Sequence, residues 1–307
     1  MDINKKVDMA INICNNGKYK KERFMSIYPF TTENISAYLD LFDLKDKKLL
    51  TVGSSSDQVF NAILKDCHDI TLFDICAFTE EYFYLKYAAI KLMTRDEFFN
   101  FFCYKKKLFV NNKKSFRESS FYELLDYLDS IKPEVSFFWK ELLKRYRGIH
   151  IRKYLFNKEE YEINMLKVMN RYLEDDNAYK LLRDKLDNID IKFIYDNIFN
   201  ISDEIKYDNI FLSNIACYYK INDILYLFNK VLNSLNDDGK MLLSYLYDTD
   251  VDSEYISGED EIYNLPLVFN KLPKDIKFYT FVGNNGLRVH DKRMKDSVIT
   301  YRKIRKI

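Results

Sequence analysis

The sequence predicts an α/β fold built on a mostly parallel sheet, and three observations support this prediction. Residues 48–74 show the pattern of a strand, a tight turn, a helix and a second strand. Strand and helix patterns alternate again from residue 190 onward, which is typical of parallel sheets with helices on both faces. The last two strand patterns, 277–282 and 297–302, have no helical pattern between them, so they must pair antiparallel or lie in separate sheets. We expect a seven-stranded sheet that ends in an antiparallel hairpin.

Composition excludes several classes of function. The chain has 48 basic and 47 acidic residues, so no global charge attracts it to nucleic acid. Its five cysteines are scattered without a C-x-x-C pair and its three histidines lie far apart, which indicates neither a disulfide framework nor a metal site. No signal-peptide pattern and no apolar run of transmembrane length is present, so we expect a cytoplasmic protein without a transmembrane segment.

Residues 1–46 are predicted to form an N-terminal helical lead-in to the first strand. Residues 1–30 are basic and rich in turn formers. Thr31 and Thr32 are then expected to cap a helix that has Glu33 in its first turn and an apolar stripe made by Ile35, Tyr38, Leu39 and Phe42. The loop 28–34 would lie near the ligand end of the sheet and is a candidate lid.

The first strand–turn–helix–strand unit is the strongest indication of a ligand site. An apolar run at 49–52 ends at Gly53 and three serines, and the second run, 70–73, ends at Asp74. Such a unit is typical of sites for adenosine-containing ligands, because the carboxylate can accept hydrogen bonds from ribose hydroxyls. The predicted cofactor-binding residues here are Gly53, Ser54, Ser55, Ser56, Asp57, Gln58, Asp74 and Ile75.

A large helical insertion is predicted to follow the second strand. Helical patterns occupy residues 78–92 and 98–102 and continue around 117–129, 135–147, 158–173 and 177–187, with Pro133 and Gly148 among the breaks. A crossover between parallel strands needs only about a dozen residues. Residues 77–189 are therefore predicted to form an inserted subdomain on the acceptor side, while 47–76 and 190–307 form the ligand-binding domain.

The later strands are predicted at 192–195, 207–213 and 241–245, with a helix at 224–235 that is stopped by the turn 236–239. Ligands of open α/β sheets bind at the carboxyl ends of strands. Asn197 and Ile198 after the third strand, and Ser213 and Asn214 after the fourth, are therefore further cofactor-binding candidates. Tyr28, Asp196 and Tyr245 are the candidates for acid–base catalysis, although packing or capping is the simpler explanation of each.

A mostly parallel sheet closed by an antiparallel hairpin is the Rossmann-like layout of class I S-adenosylmethionine (SAM) methyltransferases. A dinucleotide such as NAD competes with SAM for the same site, but its turn usually carries G-x-G-x-x-G, whereas only Gly53 stands here. SAM has no phosphate, and the serines can supply polar groups for its amino-acid part. A Rossmann-like domain that binds nothing is the third alternative.

The run LLTVGSSSDQVFNAILKDCHDITLFDICAFTEEYFYLKYAAIKLMTRDEFFNFF, residues 49–102, resembles the SAM-dependent 3-amino-3-carboxypropyltransferases of the betaine-lipid synthase type. The shared features are the small-residue loop, the acid that ends the second strand, the segment Leu85–Ile90, and the segment Phe211–Ile215. The resemblance implies SAM at residues 53–58 and at Asp74, and transfer of the aminocarboxypropyl group with release of methylthioadenosine.

The chain departs from that family after the second strand, where the usual Asp-x-Asn-Pro is replaced by Asp74-Ile75-Cys76-Ala77. The acceptor-binding parts do not align, so the acceptor, a small molecule or a macromolecule, is not predicted, and neither is the oligomeric state. A SAM-dependent methyltransferase acting on a small molecule or RNA is the first alternative. A catalytically silent SAM-binding protein is the second, because no catalytic base stands out.

Overall fold

The computed structural model describes residues 1–16, 27–103, 118–156, 161–215, 221–244, 277–282 and 297–303. The helices in these ranges are α1 (Ile3–Asn16), α2 (Ile35–Tyr38), α3 (Asp57–Leu64), α4 (Thr79–Leu92), α5 (Arg95–Phe102), α6 (Glu118–Ile131), α7 (Pro133–Leu143), α8 (Gly148–Leu155), α9 (Ile163–Met169), α10 (Asp176–Lys185) and α11 (Ile221–Ser234). The strands are β1 (Lys48–Val52), β2 (Asp69–Asp74), β3 (Asp190–Tyr195), β4 (Tyr207–Phe211), β5 (Leu235–Ser244), β6 (Lys277–Val282) and β7 (Ser297–Arg302).

The strands lie in one sheet in the order β3-β2-β1-β4-β5-β7-β6. Neighbours from β3 to β5 pair parallel, and β7 pairs antiparallel with both β5 and β6. The predicted α/β fold with a parallel sheet is thus confirmed. Residues 283–296, the predicted hairpin connection, lie outside the described residues. The order reverses between β1 and β4, which makes that pair the topological switch point, where open α/β sheets bind ligands.

The two faces of the sheet are covered by helical layers of unequal size. Along a strand successive side chains point to opposite faces, and the two apolar clusters follow that alternation. Leu49 and Leu72 pack under the large layer made by the helices from α1 to α10. Leu50 and Phe73 face the opposite layer, to which α11 contributes Leu227, Phe228 and Val231.

The first sixteen residues differ from the prediction of a basic, turn-rich lead-in, because α1 occupies most of them. Its buried face contains Val7, Ala10 and Cys14, a helical spacing. Lys6 interrupts this apolar stripe in the sequence, but it is itself buried and pairs with Glu81 of α4 at 2.7 Å. A local reading of the sequence therefore misses α1, because the partner of its lysine is far away in the chain.

Three predicted boundaries are wrong. Asn34, rather than Thr31 or Thr32, caps α2 with its side chain, and Glu33 precedes the helix instead of lying in its first turn. The fourth strand ends at Phe211, two residues before the predicted end. The predicted turn 236–239 belongs to β5, where the register against β4 shifts between Tyr207 and Asn209.

The helices of the insertion follow the predicted breaks. Pro133 is the first residue of α7, a position where its missing N–H costs nothing, and Gly148 is the first residue of α8. Helix α8 itself is not among the predicted helices. The indole of Trp139 in α7 is fully buried and donates to the carbonyl of Glu81 at 3.1 Å, which joins α7 to α4.

Candidate cofactor site

The turn after β1 and the acid that ends β2 form one hydrogen-bonded unit. The backbone N–H of Ser54 donates to Asp74 Oδ2 at 2.7 Å, and the N–H of Cys76 donates to Asp74 Oδ1 at 2.9 Å. The Thr79 hydroxyl and the Ile75 N–H also stabilise the charged carboxylate by hydrogen bonding. These groups therefore fix the orientation of this half-buried carboxylate at the end of β2.

The electrostatics of Asp74 reflect this position. Burial raises the pKa of its carboxyl above the ordinary value, and the N–H groups of Cys76 and Ser54 oppose that rise by stabilising the charged form.

Gly53 is demanded by a close approach. A Cβ atom built on Gly53 would lie 2.2 Å from Cγ2 of Thr79, the first residue of α4, and 3.2 Å from Asp74 Oδ2. Any side chain at position 53 would therefore push the turn away from β2. The single glycine identified in the sequence is the one that allows the turn to contact the carboxylate.

The three serines do not form one polar surface. Ser54 and Ser56 have left-handed φ angles of 36° and 66°. Ser54 is half-buried, whereas Ser55 and Ser56 are buried, and the Ser55 hydroxyl donates to Asp57 Oδ2 at 3.1 Å. Of the predicted serine donors, Ser54 is thus the one placed at the surface of the turn.

Asp57 lies in the interior and is bonded to protein groups. Its carboxylate pairs with Lys86 of α4 at 2.5 Å, and both side chains are fully buried. It also accepts hydrogen bonds from the Tyr172 hydroxyl at 2.7 Å and from the Thr31 N–H at 2.5 Å. Burial lowers the pKa of Lys86, and the neighbouring Asp57 opposes that change. The sequence predicts Asp57 as a cofactor contact, and the structure places it in this buried pair.

Gln58 leads to a carboxyl group that the sequence did not identify. Gln58 Oε1 accepts from the Thr51 hydroxyl at 2.7 Å, and Gln58 Nε2 donates to Glu33 Oε2 at 3.2 Å. Glu33 is 5% exposed and also accepts hydrogen bonds from the hydroxyls of Ser213, Ser244 and Tyr38. The side chain therefore lies where β1, β4 and β5 end.

Burial raises the pKa of Glu33 above its ordinary value, and the hydrogen bonds from Ser213, Ser244, Tyr38 and Gln58 oppose the rise. The sequence contained only one signal of this role, the placement of loop 28–34 near the ligand end of the sheet. No local pattern shows that the carboxyl points inward, because its partners are scattered from residue 38 to residue 244.

The candidates after β3 and β4 have mixed surroundings. Asp196 is exposed and accepts from the N–H of Asn197 at 2.7 Å, while the Asn197 side chain caps the short turn Ile198–Asn200. Ile198 is buried in the apolar cluster beneath α11. Ser213, at a φ of 54°, turns its hydroxyl to Glu33, and Asn214 is half-buried beside it.

Tyr28 and Tyr245 are the two remaining candidates for acid–base catalysis. Tyr28 is half-buried in the segment that precedes Glu33, and Tyr245 lies outside the described residues. Within the described ranges, no group of His, Cys, Asp and Glu side chains is arranged to hold a metal ion. The helices in these same ranges are all too short or too polar to cross a bilayer.

Comparison with solved structures finds weak likenesses. The glycopeptide N-methyltransferase MtfA, solved with SAM, is 8% identical over 93% of this chain and 99% of its own, with a TM-score of 0.41. The N-methyltransferase NodS from Bradyrhizobium japonicum WM9, solved with S-adenosylhomocysteine, is 8% identical over 97% of each chain, with a TM-score of 0.37. An rRNA methylase from Streptococcus thermophilus is 8% identical over 86% of this chain and 90% of its own, with a TM-score of 0.35.

No protein-family model and no curated protein matches the chain.

Proposed function

We propose that this chain is a SAM-dependent transferase that binds SAM at the carboxyl edge of its sheet and transfers the 3-amino-3-carboxypropyl group. One observation carries the proposal. The N–H groups of Ser54 and Cys76 hold the half-buried Asp74 carboxylate at the end of β2, the position at which an acid in this kind of fold accepts a hydrogen bond from a ribose hydroxyl.

The surroundings of Asp74 fit the rest of an adenosine. Ile75, the next residue, is 36% exposed. Tyr195, which is paired with Asp74 across strands β2 and β3, is 46% exposed. Two apolar side chains exposed beside a ribose acceptor offer a surface on which an adenine ring can pack.

The start of α3 favours SAM over a dinucleotide. A dinucleotide places its diphosphate on the free N–H groups of a helix N-terminus. Here the first residue of α3 is the acid Asp57, which is fully buried, and its N–H donates to the Ser55 hydroxyl at 3.4 Å. The antiparallel pairing of β7 with β5 and β6 also supports the class I layout of SAM-dependent enzymes.

When bound, SAM supplies a sulfonium that activates two carbons, the methyl carbon and the γ-carbon of the amino-acid chain. The chain's own residues need only bind, orient and exclude water. The resemblance of residues 49–102 is the reason to prefer aminocarboxypropyl transfer. Methyl transfer to a small molecule or RNA is the alternative, and a catalytically silent SAM-binding protein is the second. In each case the acceptor or partner is unassigned.

Calorimetry with SAM and with NAD tests the proposal. We expect the chain to bind SAM and not NAD. A folded chain that does not bind SAM would contradict the proposal. Asp74→Ala should weaken SAM binding about 5- to 100-fold, because charge-assisted hydrogen bonds to the ribose are lost. Asp69→Ala is the matched control, since Asp69 begins β2 at the opposite edge of the sheet. Equal affinity of the Asp74 variant and the wild-type chain would show that the site is misplaced.

The nucleoside product separates the two transfers. After incubation with SAM and a cell extract, methylthioadenosine indicates aminocarboxypropyl transfer, and S-adenosylhomocysteine indicates methyl transfer. SAM binding without either product in any extract would favour the silent protein.

A further inference from the structure

Glu33 stands out among the buried acids because of its position at the switch point. Its carboxylate accepts from Gln58, which follows β1, from Ser213, which follows β4, and from Ser244, the last residue of β5. The crevice between β1 and β4 is where the strand order reverses. Glu33 therefore lies at the bottom of the crevice in which this fold class binds its ligands.

All four groups that donate to Glu33 are neutral: three hydroxyls and one amide. The nearby ammonium of Lys86 is directed elsewhere, to Asp57 and to the carbonyls of Pro29 and Ser55. Among the described residues, none of the ion pairs includes Glu33. Two other buried acids, Asp57 and Glu81, each pair with a lysine. Glu33 differs from them in having no such cation partner among the described residues.

A buried carboxylate without a cation is costly, and a bound cation would remove much of that cost. Three of the donors contact Oε2, whereas Oε1 accepts only from Ser213. Because each oxygen has two lone pairs, Oε1 can accept one more hydrogen bond. The missing partner should therefore be a cation that carries N–H donors.

The order of strands suggests what that cation is. If Asp74 at β2 holds the ribose and the adenine packs toward β3, the amino-acid end of SAM must extend along the edge across β1 toward β4 and β5, where Glu33 lies. SAM carries two positive groups, the sulfonium and the α-ammonium of its amino-acid chain. The sulfonium has no N–H to donate, whereas the ammonium has three.

We propose that Glu33 binds the α-ammonium group of SAM. The inference rests on the proposed function, since it assumes that SAM is the ligand, and it assigns the amino-acid end of that ligand to one side chain. Glu33 would thereby distinguish SAM from nucleosides that lack the amino-acid chain.

Glu33→Gln tests this assignment, because glutamine keeps the shape and loses the charge. Calorimetry should show SAM and S-adenosylhomocysteine binding about 10- to 100-fold more weakly than to the wild-type chain. Methylthioadenosine, which has neither ammonium nor sulfonium, should bind both chains equally. Asp74→Asn is the complementary variant and should weaken all three ligands, since all three contain the ribose.

Each of the other possible outcomes contradicts the inference, and the last one also contradicts the proposed function. Unchanged SAM affinity of Glu33→Gln, or an equal loss for methylthioadenosine, would overturn the inference and leave the proposed function intact. A loss for SAM without a loss for S-adenosylhomocysteine would assign Glu33 to the sulfonium and overturn it as well. A wild-type chain that binds none of the three ligands would overturn the proposed function and the inference with it.

A second variant covers the case in which Glu33→Gln does not fold. Glu33→Asp keeps the charge but withdraws it by one methylene, so it should bind SAM more weakly and methylthioadenosine as well as the wild-type chain does. Wild-type affinity of Glu33→Asp for SAM would overturn the inference.

Discussion

Gly53 shows how closely the turn after β1 is packed. The nearest atom to a Cβ added at this position would be the methyl of Thr79, which begins α4, and the next would be a carboxylate oxygen of Asp74. Thr79 also donates a hydrogen bond to Asp74 from its hydroxyl. Turn, helix start and carboxylate thus constrain one another at this one residue.

We predict that Gly53→Ala lowers the free energy of unfolding by about 1–3 kcal/mol, because the new methyl has no space and the turn must shift. Thr79→Ser removes the clashing methyl and keeps the hydroxyl. The double variant Gly53→Ala/Thr79→Ser should therefore be more stable than Gly53→Ala alone in denaturant titrations. Thr79→Ser alone is the control, and strictly additive losses would contradict this account of the clash.

The two carboxylates of the site differ in how well the sequence predicts them. Asp74 can be predicted from the local sequence, because it ends a strand at a fixed place in a strand–helix–strand unit. Glu33 cannot, because its environment is made by residues from four different parts of the chain. The sequence predicts Asp74 as a site residue for this reason, and it misses Glu33.

At the scale of elements, the N-terminal strap, residues 27–34, is joined to the core at several places. The Pro29 carbonyl accepts from the hydroxyl of Tyr82 and from Lys86, and the Phe30 carbonyl accepts from the Tyr161 hydroxyl. The Thr31 N–H donates to Asp57. These bonds bring the strap to the edge of the sheet and set the position of Glu33.

The pair Asp57–Lys86 connects the strap, the start of α3 and the middle of α4. Lys86 lies 4.7 Å from the ring centroid of Phe30, so its ammonium also contacts an aromatic face of the strap. Removing the lysine alone would leave the Asp57 charge buried without its counter-charge.

We predict that Lys86→Met lowers the free energy of unfolding by about 3–5 kcal/mol in denaturant titrations. Lys91→Met in the same helix is the matched control. Its partner Asp187 has a side chain that is 59% exposed, so the loss should be about 0–1 kcal/mol. The double variant Lys86→Met/Asp57→Asn should lose less than the sum of its single changes, and similar losses for Lys86→Met and Lys91→Met would contradict the role given to the pair.

The same contrast explains which elements the sequence could predict. Strands β1, β2 and β3 and the breaks at Pro133 and Gly148 are set by local periodicity and backbone chemistry, and they lie where expected. Helix α1 and the start of α2 depend on partners that are distant in the sequence. The buried Lys6 pairs with Glu81, and the backbone N–H of Thr31 donates to Asp57, so Thr31 does not cap α2. Local patterns contain no information on such partners.

At the scale of the molecule, the fold buries several acids that the unfolded chain would expose. Burial raises the pKa values of Glu33, Asp74 and Glu81, and for Glu81 the ion pair with Lys6 opposes the rise. Exposed Asp40 and half-buried Asp66 have lowered pKa values, chiefly because Lys65 and Lys185 donate hydrogen bonds to them. The two groups of acids give opposite dependences of stability on pH.

The sign follows from proton counts. Below the ordinary aspartate pKa of 3.8, Asp40 and Asp66 make the unfolded state bind more protons, so the free energy of unfolding rises with pH there. Above the ordinary glutamate pKa of 4.5, the folded chain keeps protons on Glu33 and Glu81 that the unfolded chain has lost. The free energy of unfolding should therefore fall as pH rises from about 4.5 through the raised pKa values.

We predict this fall for the ligand-free wild-type chain, measured as denaturant midpoints at a series of pH values from about 4 to 8. Glu33→Gln removes one of the raised groups, so its fall should be shallower, while its stability near pH 4.5 should stay close to that of the wild-type chain. Two outcomes would contradict this prediction: a wild-type stability that rises steadily from pH 4.5 to 8, or identical slopes for the two chains. Either would show that the Glu33 carboxyl is not held in the buried hydrogen-bond network. The proposed contact between Glu33 and the amino-acid end of SAM depends on that network.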